Sequence, residues 1–150
     1  MTALAGLVAR AHRAFAPHPA VLDGAGGRPV RFSELGARAR SAAGALARLG
    51  LRPGDRVLIA LDNRAETLPL EHGVWLGGFV RVAVGSRLHP REIAEIAADC
   101  AASVVVCERT AAGALPAASA PSRRGRSWTP CSTGRTSTNR PGCPRTIWPR

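Results

Sequence analysis

An α/β fold of alternating strands and helices is what this 150-residue sequence predicts. Two apolar runs carry the expectation: residues 57–61 (Val-Leu-Ile-Ala-Leu) and the three valines of residues 104–106. Uninterrupted runs of this length typify parallel strands covered on both faces. Around them lie stretches whose apolar residues recur at spacings of three and four, the period of a helix with one buried face. Gly and Pro stand at the seams between the two kinds of segment.

The first element is a helix over residues 2–15, with Leu4, Leu7, Val8 and Phe15 roughly on one face and Pro17 and Pro19 ending it. Residues 20–23 and 29–32 read as two short strands joined by the glycine turn at 24–27, a loose hairpin. Ser33 is placed to cap the next helix through its hydroxyl. Leu35, Ala39, Ala42, Leu46 and Leu49 give that helix one apolar face, Gly50 stops it, and Pro53 prevents its resumption. After the strand at 57–61, Asn63 and Glu66 have the spacing of a capping pair. They would open a helix reaching about Leu76, kinked by Pro69. Gly77 and Gly78 break the chain before a strand at 79–84. Pro90 suits the first turn of a further helix, with His89 before it and Ile93, Ile96, Ala97 and Cys100 as its buried face. The order is helix, hairpin, then strand–helix–strand–helix–strand, which implies an open sheet with right-handed crossovers.

Beyond Leu115 the composition changes. Residues 116–150 hold six Pro and one large aliphatic residue, Ile147. So little apolar area cannot offset the entropy of ordering the chain. The expected organisation is therefore a folded unit over residues 1–115 and a disordered Arg/Pro-rich tail over 116–150.

The formal net charge of +11 raises a nucleic-acid reading, but its distribution argues against one. Residues 1–115 carry 14 Arg against all 10 acidic residues, and the tail carries 7 Arg with no acid. Trp128 and Trp148 alone offer the tail a surface for base stacking, so specific nucleic-acid binding is not expected. No Lys occurs anywhere in the chain, which removes Schiff-base chemistry and lysine-held phosphates. The cysteines, Cys100, Cys107, Cys131 and Cys143, lack the two-residue spacing of a zinc or redox motif, and free thiols fit a reducing cytoplasm. His12, His18, His72 and His89 are scattered without ligand spacing, and no metal or acid–base role is expected of them. No apolar run approaches the roughly 18 residues of a membrane span.

Val30-Arg31-Phe32-Ser33-Glu34-Leu35, the turn Arg52-Pro53-Gly54-Asp55-Arg56-Val57, Asn63 with Glu66, and Gly78 through Leu88 followed by Pro90 and Glu92 form an ordered set. Together they resemble, across about residues 18–108, the N-terminal subdomain of AMP-forming acyl-CoA synthetases, the acyl-adenylate-forming ligases. The sequence departs from that family's pattern at Ala83 and Gly85, where Pro and Asn are usual. The resemblance implies a partial N-terminal α/β subdomain of a ligase that activates a carboxylic acid with ATP and Mg and usually passes it to coenzyme A. It also implies a phosphate-gripping loop ending in Lys, an Asp for the ribose and a late Lys, all beyond the matched segment. Cys131-Ser132-Thr133-Gly134-Arg135-Thr136 lacks the glycine spacing and the Lys of such a loop. No catalytic, cofactor-binding or metal residue is therefore expected in this chain, and it is expected to be an inactive fragment with no cofactor and no partner. The alternatives are a small interaction protein that pairs with another chain, and nonspecific nucleic-acid binding through the tail.

The genetic code adds one more expectation. When the tail is written with G or C at degenerate third positions and read one nucleotide earlier, Trp128 and Thr129 together force an Asp. Continuing, residues 127–150 become an acidic string opening Leu-Asp-Ala-Leu-Leu-Asp, which resembles the linker such ligases carry before the phosphate loop. A change of reading frame between about Thr110 and Arg123 is expected to have produced the tail.

Overall fold

The computed structural model describes residues 3–22 and 27–108, together with the backbone of 130–131. The chain divides into two compact units, Met1–Gly54 with Asn63–Val80, and Asp55–Asp62 with Arg81–Arg150. Helices and strands alternate and the larger sheet is open, the α/β architecture expected.

The first unit holds α1 (Ala3–Ala14), β1 (Pro19–Val21), β2 (Val30–Arg31), α2 (Phe32–Arg48) and α3 (Thr67–Leu76). The hairpin exists: β1 and β2 pair antiparallel, Val21 opposite Val30. Residues 24–26 of its expected glycine turn lie outside the described residues. The α1 face differs from expectation. Ala5, Val8 and His12 are the buried side, while Leu4, Leu7 and Phe15 are about half exposed. The spacing of three and four was right, but the stripe passes through a small residue and a polar one, which a search for large apolar residues steps over.

Helix α2 starts one residue before Ser33, so the Ser33 hydroxyl is not its cap. Arg31 holds the N-cap position, and its amide N–H donates to the Glu34 carboxylate at 3.3 Å. The Arg28 guanidinium, 2.7 Å from the other Glu34 oxygen, holds that carboxyl below its ordinary range. Helix α3 begins four residues after Asn63, and neither Asn63 nor Glu66 caps it through a side-chain bond. The later start explains why Pro69 produces no mid-helix break. It lies in the first turn, where a backbone N–H would have no acceptor within the helix.

The sheet of the second unit runs β4 (Val80–Ala83), β3 (Arg56–Ala60), β5 (Val104–Cys107), β6 (Pro130–Cys131). β3 and β5 pair in parallel, Val57 opposite Val104 through Ala60 opposite Cys107. Helix α4 (Pro90–Asp99) covers one face of this sheet. Leu58, Ala60, Val105 and Cys107 pack there with Ile93, Ala94, Ala97 and Ala102, and Val82 of the edge strand and Val84 just after it join them. Val57 and Ile59, on the alternate face, are also buried, which accounts for the unbroken apolar run in the sequence. As the sequence suggested, Pro90 is the first residue of α4 and His89 its cap. His89 Nδ1 accepts from the Arg91 amide at 3.3 Å, and the His89 amide donates to Glu92 at 2.7 Å. No element was expected after Leu115, yet β6 pairs parallel with β5, Val105 opposite Pro130. The rest of the tail lies outside the described residues.

Three helices end in the same way. After α2, α3 and α4 the chain enters the left-handed region at Gly50 (φ 88°), Gly78 (φ 72°) and Ala101 (φ 49°). In each case two amides turn back to the carbonyls of the last turn, as with Leu51 to Leu46 and Gly50 to Ala47. That double bond satisfies carbonyls the helix leaves orphaned and turns the chain toward the following strand. Ala101 makes the turn against the steric penalty on a Cβ in this region, about 1–2 kcal/mol. Ala101→Gly should therefore stabilise the chain by about 0.5–1 kcal/mol, after the added unfolded-state entropy is subtracted. A urea melt with an unchanged or lower midpoint would contradict that reading. Gly73 of α3 approaches α2 closely: a methyl there would lie 2.7 Å from Ala42 Cβ and 2.8 Å from the Ala39 carbonyl oxygen. The gain in helix propensity, about 1 kcal/mol, is outweighed because a backbone atom cannot rotate away. Gly73→Ala is expected to lower the urea midpoint.

Candidate functional site

The ordered motifs of the sequence fall on seams of the scaffold. In the first unit the turn at Pro53 and Gly54 is pinned by the Gly54 amide, which donates to the Gly78 carbonyl at 2.8 Å, with Gly54 itself at φ 90°. Pro53 stands where a Cβ on Gly78 would meet it at 3.3 Å. Two motif segments distant in sequence are thus one turn-on-turn contact. In the second unit, Gly85 accepts from the Leu88 amide at 3.3 Å, and Val84 donates to the Ile59 carbonyl at 3.0 Å. The chain makes this return without the Pro and Asn usual in the family.

Ligands in open α/β sheets gather outside the carboxyl ends of the strands. At that end of β3 and β5 the Asp62 amide donates to the Glu108 carboxylate at 3.4 Å. A triphosphate site needs aimed amides and cations, and this amide is already committed to a carboxylate. No group of three or more His, Cys, Asp or Glu side chains able to hold a metal occurs among the described residues. The chain has no Lys to hold a triphosphate as a point charge. Of the two described thiols, Cys107 is fully buried, and burial pushes the Cys100 thiol above its ordinary range, away from the reactive thiolate.

The sequence did not anticipate a part-buried polar pair that the first unit builds. His12 of α1 and His72 of α3 stack with ring centroids 5.1 Å apart and planes 20° from parallel. His12 Nε2 and His72 Nδ1 are hydrogen-bonded at 2.9 Å. His12 is buried, and its Nδ1 has no hydrogen-bond partner. Burial lowers both imidazole pKa values, His12 further through His72 and Arg40, while Glu71 works the other way on His72. No spacing rule could have found the pair, because its members are 60 residues apart and meet only through helix packing.

The family model for AMP-binding enzymes matches residues 8–138. This chain belongs to the AMP-binding enzyme family. Among characterised relatives, it is 34% identical over 92 residues to a 4-coumarate–CoA ligase of Pinus taeda, covering 61% of this chain and 17% of that one. It is 30% identical over 84 residues to the uncharacterized protein Rv1549 of Mycobacterium tuberculosis, covering 56% of this chain and 48% of that one. Its fold matches the N-terminal domain of FACL13 from Mycobacterium tuberculosis with a TM-score of 0.73 at 22% identity, over 87% of this chain and 34% of that structure. A benzoate CoA ligase from Burkholderia xenovorans LB400 superimposes with a TM-score of 0.71 at 20% identity, over 89% of this chain and 26% of that one. The chain thus spans about a sixth of the pine ligase and a quarter to a third of the solved ligases. No helix among the described residues is long and apolar enough to cross a membrane.

Proposed function

We propose that this chain is leading scaffold of a ligase that activates a carboxylic acid with ATP and passes it to coenzyme A, and that the chain alone catalyses neither step. The carrying observation is the family match over residues 8–138 in a chain without a single Lys. The ordered motifs, the parallel β3–β5 pair and the turn-on-turn contact at Gly54 and Gly78 all belong to the supporting framework. The cationic groups that would neutralise a triphosphate are not part of it. ATP, Mg and coenzyme A are thus cofactors of the parent ligase, and the chain is assigned to the cytoplasm on its free thiols.

The tail over residues 116–150 is proposed to be the product of a changed reading frame. Its acid-free Arg/Pro composition converts to an acidic, Leu-rich one when the codons are read one nucleotide earlier. The family match extends to residue 138 in the present frame, past the segment where the frame change is placed. A second reading has one observation in its favour. The 84 residues matched in Rv1549 make up 48% of it, so a relative of this scaffold also exists as a short chain. In that reading the scaffold pairs with another polypeptide.

The purified chain is expected to release no pyrophosphate from ATP with any carboxylic acid. Acid-dependent release above a no-protein blank would overturn the proposal of inactivity. For the tail, the gene should be resequenced across the codons for residues 110–123. Either a corrected base count or a one-nucleotide difference from family members is expected there. An in-frame tail shared by relatives would remove the frame-change proposal.

A further inference from the structure

We propose that the His12–His72 pair is an acid-sensitive clasp that holds α1 against α3 only while both imidazoles are neutral. The geometry fixes the proton count. One hydrogen lies between His12 Nε2 and His72 Nδ1, which are 2.9 Å apart. If His12 Nε2 donates, its Nδ1 is a bare lone pair; if it accepts, its Nδ1 carries a hydrogen. That Nδ1 is buried with no acceptor in reach, and an orphaned N–H is costlier than an under-used lone pair. His12 therefore donates through Nε2–H, and His72 accepts at Nδ1.

Any added proton breaks this arrangement. On His12 it lands on Nδ1, creating a buried charged N–H with no acceptor. On His72 it lands on Nδ1, so two N–H groups face each other unless His12 shifts its hydrogen to the orphan position. Either route places an unsatisfied N–H in the interior of the first unit. Space for adjustment is limited on the α2 side: a Cβ on Gly36 would lie 3.0 Å from the His12 ring, so the backbone of α2 already abuts the imidazole. Three charged or titratable groups act on the pair from the packed elements. Arg40 on α2 and His72 itself oppose charge on His12, and Glu71 on α3 favours charge on His72. Trp75, with its ring centroid 5.3 Å from that of His72, adds an aromatic neighbour that favours charge on that ring. The first proton accordingly goes to His72.

The sign follows from burial. Both imidazoles titrate below their unfolded value of about 6.5, so the unfolded chain takes up protons first as pH falls. The clasp's contribution is complete above about pH 6.5 and is lost as pH falls from there through the folded pKa values. His18 and His89 lie elsewhere, and His89 caps α4, so global acid sensitivity alone does not identify the clasp.

Hydrogen exchange of the full chain, corrected for intrinsic rates, separates them. Between about pH 7.5 and about pH 5, protection of the α1 amides should fall roughly tenfold or more relative to the β3 and β5 amides. His72→Gln offers a non-titrating side-chain oxygen to His12 Nε2–H and removes the site of the first proton, so in that variant the relative protection of α1 should fall clearly less, the remainder coming from His12 itself. Unchanged relative protection of α1 in the wild-type chain would overturn the proposal, as would an equal fall in the variant. If the variant fails to fold, the wild-type imidazole resonances decide. A His12 that carries its hydrogen on Nδ1 at neutral pH, or a pair titrating at or above the free value, would overturn it equally.

Discussion

The parallel register of β3 against β5 is the constraint on which the second unit rests. Val57 through Ala60 lie opposite Val104 through Cys107, and the four β3 residues are buried on both faces. Parallel neighbours cannot be joined by a tight turn, so the chain between them has to leave the sheet and return. On its way it lays β4 on the far side of β3 and α4 on one face. β3 thereby has a hydrogen-bonded neighbour on both edges, and a fully apolar strand needs partners for its backbone because no water reaches it. Shifting the register by one residue would exchange Leu58 and Ala60 with Val57 and Ile59. Only Leu58 and Ala60 are fitted to the small, close surface of Ala94 and Ala97.

Much of this was legible because the signals are local. Pro90 and His89 mark the start of α4 through the chemistry of the first turn, and Gly50 and Gly78 mark helix ends by the backbone geometry they allow. What was not legible was decided by packing. Nothing near His12 in sequence says that its ring is buried, since the reason, His72, sits on another helix. Leu4 and Leu7 look like core residues by composition, yet α1 turns Ala5 and Val8 inward. Asn63 and Glu66 have the spacing of a cap without serving as one, because the chain uses those residues to leave β3 before helix α3 begins. The same delay moves Pro69 from a disruptive position to a harmless one. Ala101 reverses the usual rule: a non-glycine accepts the left-handed turn because the amides of Ala101 and Ala102 close on Ala98 and Ala97.

The motif set was readable for the same local reason, and this limits what it can mean. Turns such as Pro53-Gly54 persist wherever a strand must start at a defined angle, whatever chemistry the protein performs. The bond from the Gly54 amide to Gly78 shows what such residues are for. They fix backbone to backbone, and no side-chain function is required of them. Membership of the AMP-binding family is therefore visible in turns that fix the backbone, and fold and site have to be argued separately.

Electrostatics draws the line between them. Anhydride chemistry on ATP needs fixed positive charge and aimed amide groups at the phosphates before the reaction begins. In the first unit Arg28 is bound to Glu34, and at the carboxyl end of β3 and β5 the Asp62 amide is committed to Glu108. Arg cannot simply replace the missing Lys: its flat, forked guanidinium suits two-point contacts, whereas a compact ammonium fits inside a phosphate loop as a point charge. A scaffold with this charge arrangement can carry a nucleotide site built from other segments of chain. Its own bonds fix backbone to backbone, and gripping a phosphate is a separate requirement.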